Sequence, residues 1–232
     1  VTRGADLRTQ SPGQASAPSV GTRALRKEDD PLLRGAGAFV DDLREPGTLE
    51  AAFLRSPYPH AILGAIDSTA AEALDGVVAV YTAADLPGGG PPIPMRMFIQ
   101  PGMERFLQPP LASDRVRYVG EPVAVVVATS RYVAEDALEL IDVEYEPLEA
   151  VVDHDAAAGP DAPLLHPAAG TNVAATFTTG DDGLDGVFES AETVVAGRFS
   201  CGRHGAVPME PRGLIAQVAS DGRLVVHGAA KI

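Results

Sequence analysis

Between Val119 and Asp153, in VGEPVAVVVATSRYVAEDALELIDVEYEPLEAVVD, the spacing of apolar residues changes twice. A continuous run gives way to a helical period and then to strict alternation, so the segment must make a strand, a helix and a second strand in succession. PVAVVVA is apolar at nearly every position, as a strand covered on both faces requires. Ser130 offers a hydroxyl to cap the helix that follows. Val133, Ala137, Leu138 and Ile141 then share one helical face, with Arg131, Glu135, Asp136 and Glu139 on the other. From Ile141 the apolar positions Ile141, Val143 and Tyr145 alternate with Asp142, Glu144 and Glu146 until Pro147 ends the ladder. The spacing predicts a strand–helix–strand crossover, right-handed if its strands are parallel.

Such a crossover invites a dinucleotide, but its turn, Ala128-Thr129-Ser130-Arg131, contains no glycine to let backbone approach a pyrophosphate. The other glycine run, Gly88-Gly89-Gly90, is followed by two prolines where a phosphate-binding loop needs Lys and Ser or Thr. It reads as a flexible loop.

Upstream, LEAAFLRSPYPHAILGAID holds two apolar runs split by Ser56-Pro57-Tyr58-Pro59, and predicts two strands with a tight connection. Thr69 and Glu72 have capping-box spacing before a short helix over about Ala70 to Leu74, which Gly76 can end. GVVAVYT is a further strand, and Thr82 with Asp85 can cap one more turn. Residues 88–110, dense in Gly and Pro, form a long excursion across the surface or over a partner. Near 150–180 the texture turns to Ala, Pro and Gly, as in a linker, and His154 and His166 within it lack a second imidazole or a cysteine at ligand spacing. Beyond it, Leu184 to Ala191 reads as a short helix, and GLIAQVA and RLVVHG around Ser220-Asp221-Gly222 read as a hairpin. The fold class is α+β.

Charge narrows the partners. Against 18 Lys and Arg stand 32 Asp and Glu, a net charge of −14, which repels nucleic acid and anionic lipid. No apolar run is long enough for a membrane span, the one cysteine has no intramolecular disulfide partner, and VTRGADLRTQSPGQASAPSVG has no apolar signal segment. A soluble protein of a reducing cytoplasm, with a disordered tail over residues 1–20, fits these features.

The densest group of chemically capable side chains is Cys201, Arg203, His204, Met209, Glu210 and Arg212. Cys201 and His204 offer a nucleophile pair or half a metal site, but a lone Cys in an apolar strand is ordinarily a buried small hydrophobe. On extended chain Glu210 and Arg212 share a face, either as an ion pair or toward a ligand, the pair being the plainer reading. Glu121, between Gly120 and Pro122, is a general base or, more ordinarily, a loop-fixing carboxylate. None of these sets is a catalytic constellation.

These residues carry a resemblance. The Val119–Asp153 stretch, together with RGAGAFVDDLREPGTLEAAFLRSPYPHAILGAIDSTAAEALDGVVAVYTAADLP, resembles the α/β-hammerhead domain of the xanthine dehydrogenase and aldehyde oxidase family. GDDGLDGVFESAETVVAGRFSCGRHGAVPMEPRGLIAQ is similar to the start of the molybdenum-cofactor domain in the carbon-monoxide-dehydrogenase-like branch of large subunits. The resemblance implies a hammerhead over 21–150, a linker over 151–180 and a truncated cofactor-domain portion over 181–232. It further implies a molybdenum hydroxylase that oxidises an aldehyde, an N-heterocycle or CO with water as oxygen source. Its metal would be held on molybdopterin, with FAD on a medium subunit and 2Fe–2S clusters on a small one. The family's cofactor loops and late catalytic glutamate would lie further along than this chain, so it implies no catalytic, cofactor or metal residue here and no activity of this chain alone. It makes Gly120, Glu121, Pro122, Arg203, His204, Met209, Glu210 and Arg212 architectural. A stand-alone hammerhead that docks on partner subunits and a small enzyme using Cys201 and His204 without molybdenum are the alternatives.

Overall fold

The computed structural model describes residues 21, 26–43, 45–95, 100–180, 183–202, 205 and 207–229; the tail expected over 1–20, Arg203 and His204 lie outside them. In chain order the elements are α1 (Asp29–Leu33), β1 (Glu50–Arg55), β2 (Ala61–Asp67), α2 (Thr69–Glu72), β3 (Val77–Thr82), β4 (Arg115–Val116), β5 (Pro122–Ala128), α3 (Arg131–Leu138), β6 (Asp142–Pro147), α4 (His154–Ala157), α5 (Leu184–Ser190), β7 (Gly213–Val218) and β8 (Leu224–Ala229). The described residues fall into two compact units, one within Glu45–Ser200 and one drawn from Val1–Arg44 and Cys201–Ile232.

In the unit within Glu45–Ser200, two three-stranded sheets are ordered β1-β5-β3 and β4-β2-β6, and every pairing is antiparallel. β5 takes the centre of its sheet because its Val and Ala residues accept cover on both faces: Val123, Ala124, Val126 and Ala128 are fully buried. α3 lies against it through Ala134 and Ala137, whose small side chains allow close approach, and Ala71 and Ile141 complete the cluster. Ala61, Leu63, Ala112, Val116 and Val123 make a second cluster, so β5 serves both. Ser130 caps α3 as its position predicts, accepting from the Val133 amide at 3.3 Å.

Two expectations change here. β5 and β6 flank α3 as the periodicity requires, but they belong to different sheets, β6 pairing with β2. The segment is therefore no same-sheet crossover, and the handedness rule has nothing to act on. Periodicity fixes which face of a strand is buried and leaves its neighbour open. The cap of α2 is shifted by one residue: Ser68 stands at the N-cap, its hydroxyl donates to Glu72 Oε1 at 2.6 Å, and the Thr69 amide donates to Asp67 Oδ1 at 3.0 Å. Asp67 takes the Thr69 amide that Glu72 would hold in the expected box, and Glu72 accepts from Ser68 instead. By contrast Thr82 and Asp85 cap a short 3-10 turn as expected, with the Thr82 amide and hydroxyl donating to Asp85 Oδ2 at 2.7 and 2.9 Å.

The other unit holds α1, a 3-10 turn over Val40–Asp42 and the β7–β8 hairpin. The hairpin turn is as the sequence predicts: Gly222 takes φ +82°, and the Ala219 amide donates to the Arg223 carbonyl at 2.8 Å. Gly213 lets the 3-10 turn approach closely, since a Cβ there would lie 2.9 Å from Val40 Cγ1.

Candidate functional site

The chain passes between the two sheets twice at one place: residues 56–60 join β1 to β2, and residues 117–121 join β4 to β5. Backbone bonds tie the two passages, Ser56 N–H donating to the Glu121 carbonyl at 2.9 Å and Gly120 N–H to the Ser56 carbonyl at 2.8 Å. Gly120 turns the chain with φ +93°, and its carbonyl accepts from Arg55 Nη1 at 2.9 Å. Pro122 opens β5, and its carbonyl accepts from the Ala112 amide at 2.8 Å. Ser56, also buried, closes a small turn by accepting from the Tyr58 amide at 3.0 Å.

Glu121 sits inside this knot at 3 % exposure. One carboxylate oxygen accepts from the Arg117 backbone N–H and the other lies 3.9 Å from Arg117 Nη1. Burial pushes the carboxyl above the ordinary range, the Arg117 amide and guanidinium pull it back, and Asp114 adds to the push. Arg117 also donates through Nη2 to Asp114 Oδ1 at 3.1 Å and through Nη1 to the Arg115 carbonyl at 3.0 Å. His166 lies beyond it, held below the usual imidazole range by burial and then by the Arg117 charge.

His60, 3 % exposed, completes the passage. Its Nδ1 lies 2.8 Å from the Glu149 carbonyl, an acceptor only, so Nδ1 carries the proton. Nε2 of His60 and Nε of Arg115 are the buried side-chain atoms without a hydrogen-bond partner among the described residues. The Ser56 hydroxyl, the Glu121 carboxylate and His60 Nδ1 are by contrast spent on backbone of the chain itself.

Gly120, Glu121 and Pro122 are thus brought together, while Met209, Glu210 and Arg212 lie ahead of β7 in the other unit. There Glu210 accepts from the Val40 amide at 3.2 Å, and no Glu210–Arg212 ion pair occurs among the described residues. The shared face assumed for that pair fails because the chain bends at Met209 and Glu210 and the strand starts only at Gly213. Cys201 is exposed and stands in no strand, against the expectation of a buried small hydrophobe. Sequence reasoning passed over Arg117 and Ser56; the available signal was RVRYVGEP, an arginine four residues before a glutamate held between Gly and Pro.

A family model described as aldehyde oxidase and xanthine dehydrogenase, a/b hammerhead domain, matches residues 34–149, and one described as molybdopterin cofactor-binding domain matches residues 165–232. The chain belongs to the aldehyde oxidase and xanthine dehydrogenase family. It is 41% identical over 199 residues to the nicotine 6-hydroxylase large subunit of Paenarthrobacter nicotinovorans, covering 85% of this chain and 24% of that protein. To the carbon monoxide dehydrogenase large chain of Afipia carboxidovorans it is 39% identical over 204 residues, covering 82% of this chain and 24% of that one. The crystal structure of quinoline 2-oxidoreductase from Pseudomonas putida 86 superposes with a TM-score of 0.78 at 42% identity, over 91% of this chain and 27% of that chain. This member of the family therefore spans about a quarter of the length of the curated relatives it matches.

The described residues of the family's cofactor-binding match form no cradle for molybdopterin. Residues 183–202 are exposed throughout, and no group of three or more His, Cys, Asp or Glu is placed to hold a metal ion among the described residues. No helix among them is long and apolar enough to cross a membrane.

Proposed function

We propose that this chain supplies the hammerhead and part of the molybdopterin-binding domain of the large subunit of a molybdenum hydroxylase. Such an enzyme oxidises an aldehyde, an N-heterocycle or CO with oxygen from water. It would work in the cytoplasm in a hetero-oligomer with an FAD-binding medium subunit and an iron–sulfur small subunit. The observation that carries this reading is the order of two family matches, hammerhead and then molybdopterin cofactor-binding domain, on one polypeptide.

In this reading the chain's own part is scaffold. Gly120, Glu121 and Pro122 hold the passage between the sheets, Glu210 fixes the approach to the β7–β8 hairpin, and the 88–110 excursion faces a partner subunit or walls the substrate's approach. Arg203, His204, Met209 and Arg212 are assigned the same architectural role. With no cradle among the described residues, no chemical step is assigned to them.

The test is the intact mass of the polypeptide that carries this sequence in its source cells, with molybdenum, FAD and iron–sulfur content measured on the same purified complex. The expected result is a polypeptide several times longer than 232 residues, with molybdenum and two smaller subunits bound. A 232-residue species free of metal and flavin would overturn the reading in favour of a stand-alone scaffold.

A further inference from the structure

After Asp153 the composition is that of a linker, yet the polar contacts converge on one residue. Leu165 donates its N–H to Asn172 Oδ1 at 3.0 Å, and its carbonyl accepts from Arg117 Nε at 3.1 Å. Asn172 Nδ2 donates to the carbonyls of Pro163 at 2.9 Å and Ala157 at 3.2 Å, so one amide side chain ties three points of the segment together. Asp153 caps α4 by accepting from the amides of Asp155 and Ala156 at 2.8 and 3.0 Å, and Pro160, Pro163 and Pro167 fix φ between these ties. Residues 162–166 are half-buried, as is Asn172, in a segment that is mostly exposed.

On the receiving side Arg117 is pre-set. Its side chain is 14% exposed, and Asp114 and the Arg115 carbonyl orient the guanidinium so that Nε is left for Leu165. A second contact stands beside it: the His166 ring meets Phe106 edge-on, with centroids 5.3 Å apart. Phe106 belongs to the 3-10 turn Met103–Phe106 in the Gly/Pro excursion, where Met103 is buried.

We propose that residues 153–173 are a shaped strap, folded by Asn172 and latched to the hammerhead by Arg117 at the Leu165 carbonyl and by Phe106 at the His166 ring. Arg117 and Asn172 are then positioning residues. They set where the chain leaves the hammerhead, and the cofactor-domain match begins at residue 165, the latched position itself. The latch stands on contacts within this chain; what it positions rests on the reading above, and the test needs neither metal nor partner subunits.

The experiment is hydrogen exchange by mass spectrometry on the full 232-residue chain, comparing wild type with Arg117→Lys and Asn172→Ala. Lysine keeps the charge between Asp114 and Glu121 but lacks the three-way fork. Peptides from 153–173 are expected to exchange about tenfold faster in both variants, the effect of losing a charge-assisted or buried hydrogen bond, with β5 peptides unchanged. Unchanged strap exchange in both variants would overturn the proposal, as would strap exchange that rises only in step with β5. If Arg117→Lys itself opens β5, His166→Ala and Asn172→Ala decide. Faster strap exchange in both supports the latch, and a strap as protected as in wild type sinks it.

Discussion

Residues 45–150 and residues 184–229 carry similar apolar side chains and treat them in opposite ways. In the first, Val116, Val123 and Val126 are fully buried in clusters that the hammerhead closes with its own strands and helix. In the second, Val195 is 88% and Phe199 94% exposed, and on the hairpin Leu214, Val218, Leu224 and Val226 all face out. The register places Leu214 opposite Gly228, Ala216 opposite Val226 and Val218 opposite Leu224, so these side chains share one face of the ribbon. A two-stranded ribbon alone is marginal, and apolar surface of that kind marks a place where other polypeptide belongs. Folding stability is thus concentrated in the hammerhead.

The largest effect that follows is on β5. Val126→Asp places an unpaired carboxylate in a fully buried position and is expected to cost about 4 kcal/mol or more, abolishing the cooperative urea transition of the hammerhead. The same change at Val195 meets solvent and should stay within about 0.5 kcal/mol. Equal losses at the two sites would erase the contrast. Glu121→Ala comes next, at about 2 kcal/mol by urea denaturation, because it leaves the buried Arg117 amide without its acceptor and removes the carboxylate 3.9 Å from the Arg117 guanidinium. A neutral result would mean that the knot relaxes around water.

Which parts were legible in the sequence follows from what each signal reports. The Val run of β5, the α3 face and the Gly222 turn are local matters of periodicity and backbone freedom, and all three are found where the residues place them. The partner of β6 is a long-range choice that alternation cannot encode, so a plausible crossover becomes two separate sheets. Glu121 stood out because Gly and Pro frame it, but the arginine beside it makes contacts as far off as Leu165, 48 positions away, and no spacing rule reaches that. For the same reason nothing local marks Asn172, whose contacts reach back to Ala157. Pairing Glu210 with Arg212 assumed a strand that begins three residues later than Glu210.

Two turns sharpen the comparison at smaller scale. Gly76 precedes β3 with φ +92°, its carbonyl accepts from the Thr129 amide at 2.9 Å, and a Cβ there would lie 2.9 Å from Thr129 Oγ1. Gly76→Ala therefore adds a contact that must shift to the strain of a left-handed residue, and should cost about 2 kcal/mol in urea denaturation. Gly222 has φ +82° and open space around it, so Gly222→Ala carries the backbone strain alone, about 1 kcal/mol, and Gly222→Asn less. If Gly76→Ala proved as mild as Gly222→Ala, Thr129 would have to move freely.

The smallest effects separate the regions by sign. Glu121 is raised from its ordinary value of 4.5, chiefly by burial. Its contribution to stability is fully present below about pH 4.5 and is lost as pH rises through the raised value. Asp221, in the hairpin turn, is lowered from 3.8 by the Arg223 side chain, which donates from Nε at 2.7 Å, and then by the Arg223 amide at 3.1 Å. Its contribution is present above about pH 3.8 and is lost as pH falls through the lowered value. As pH drops from 7 toward 4, the urea midpoint of wild type should therefore climb relative to Glu121→Gln. Below pH 4, exchange in hairpin peptides of wild type should rise toward that of Asp221→Asn. Opposite slopes are the signature of a carboxylate enclosed by its own fold against one held in a solvent-facing turn. If wild type instead fell relative to Glu121→Gln on acidification, Arg117 would outweigh burial, and the knot would be an ion pair first and a desolvated acid second.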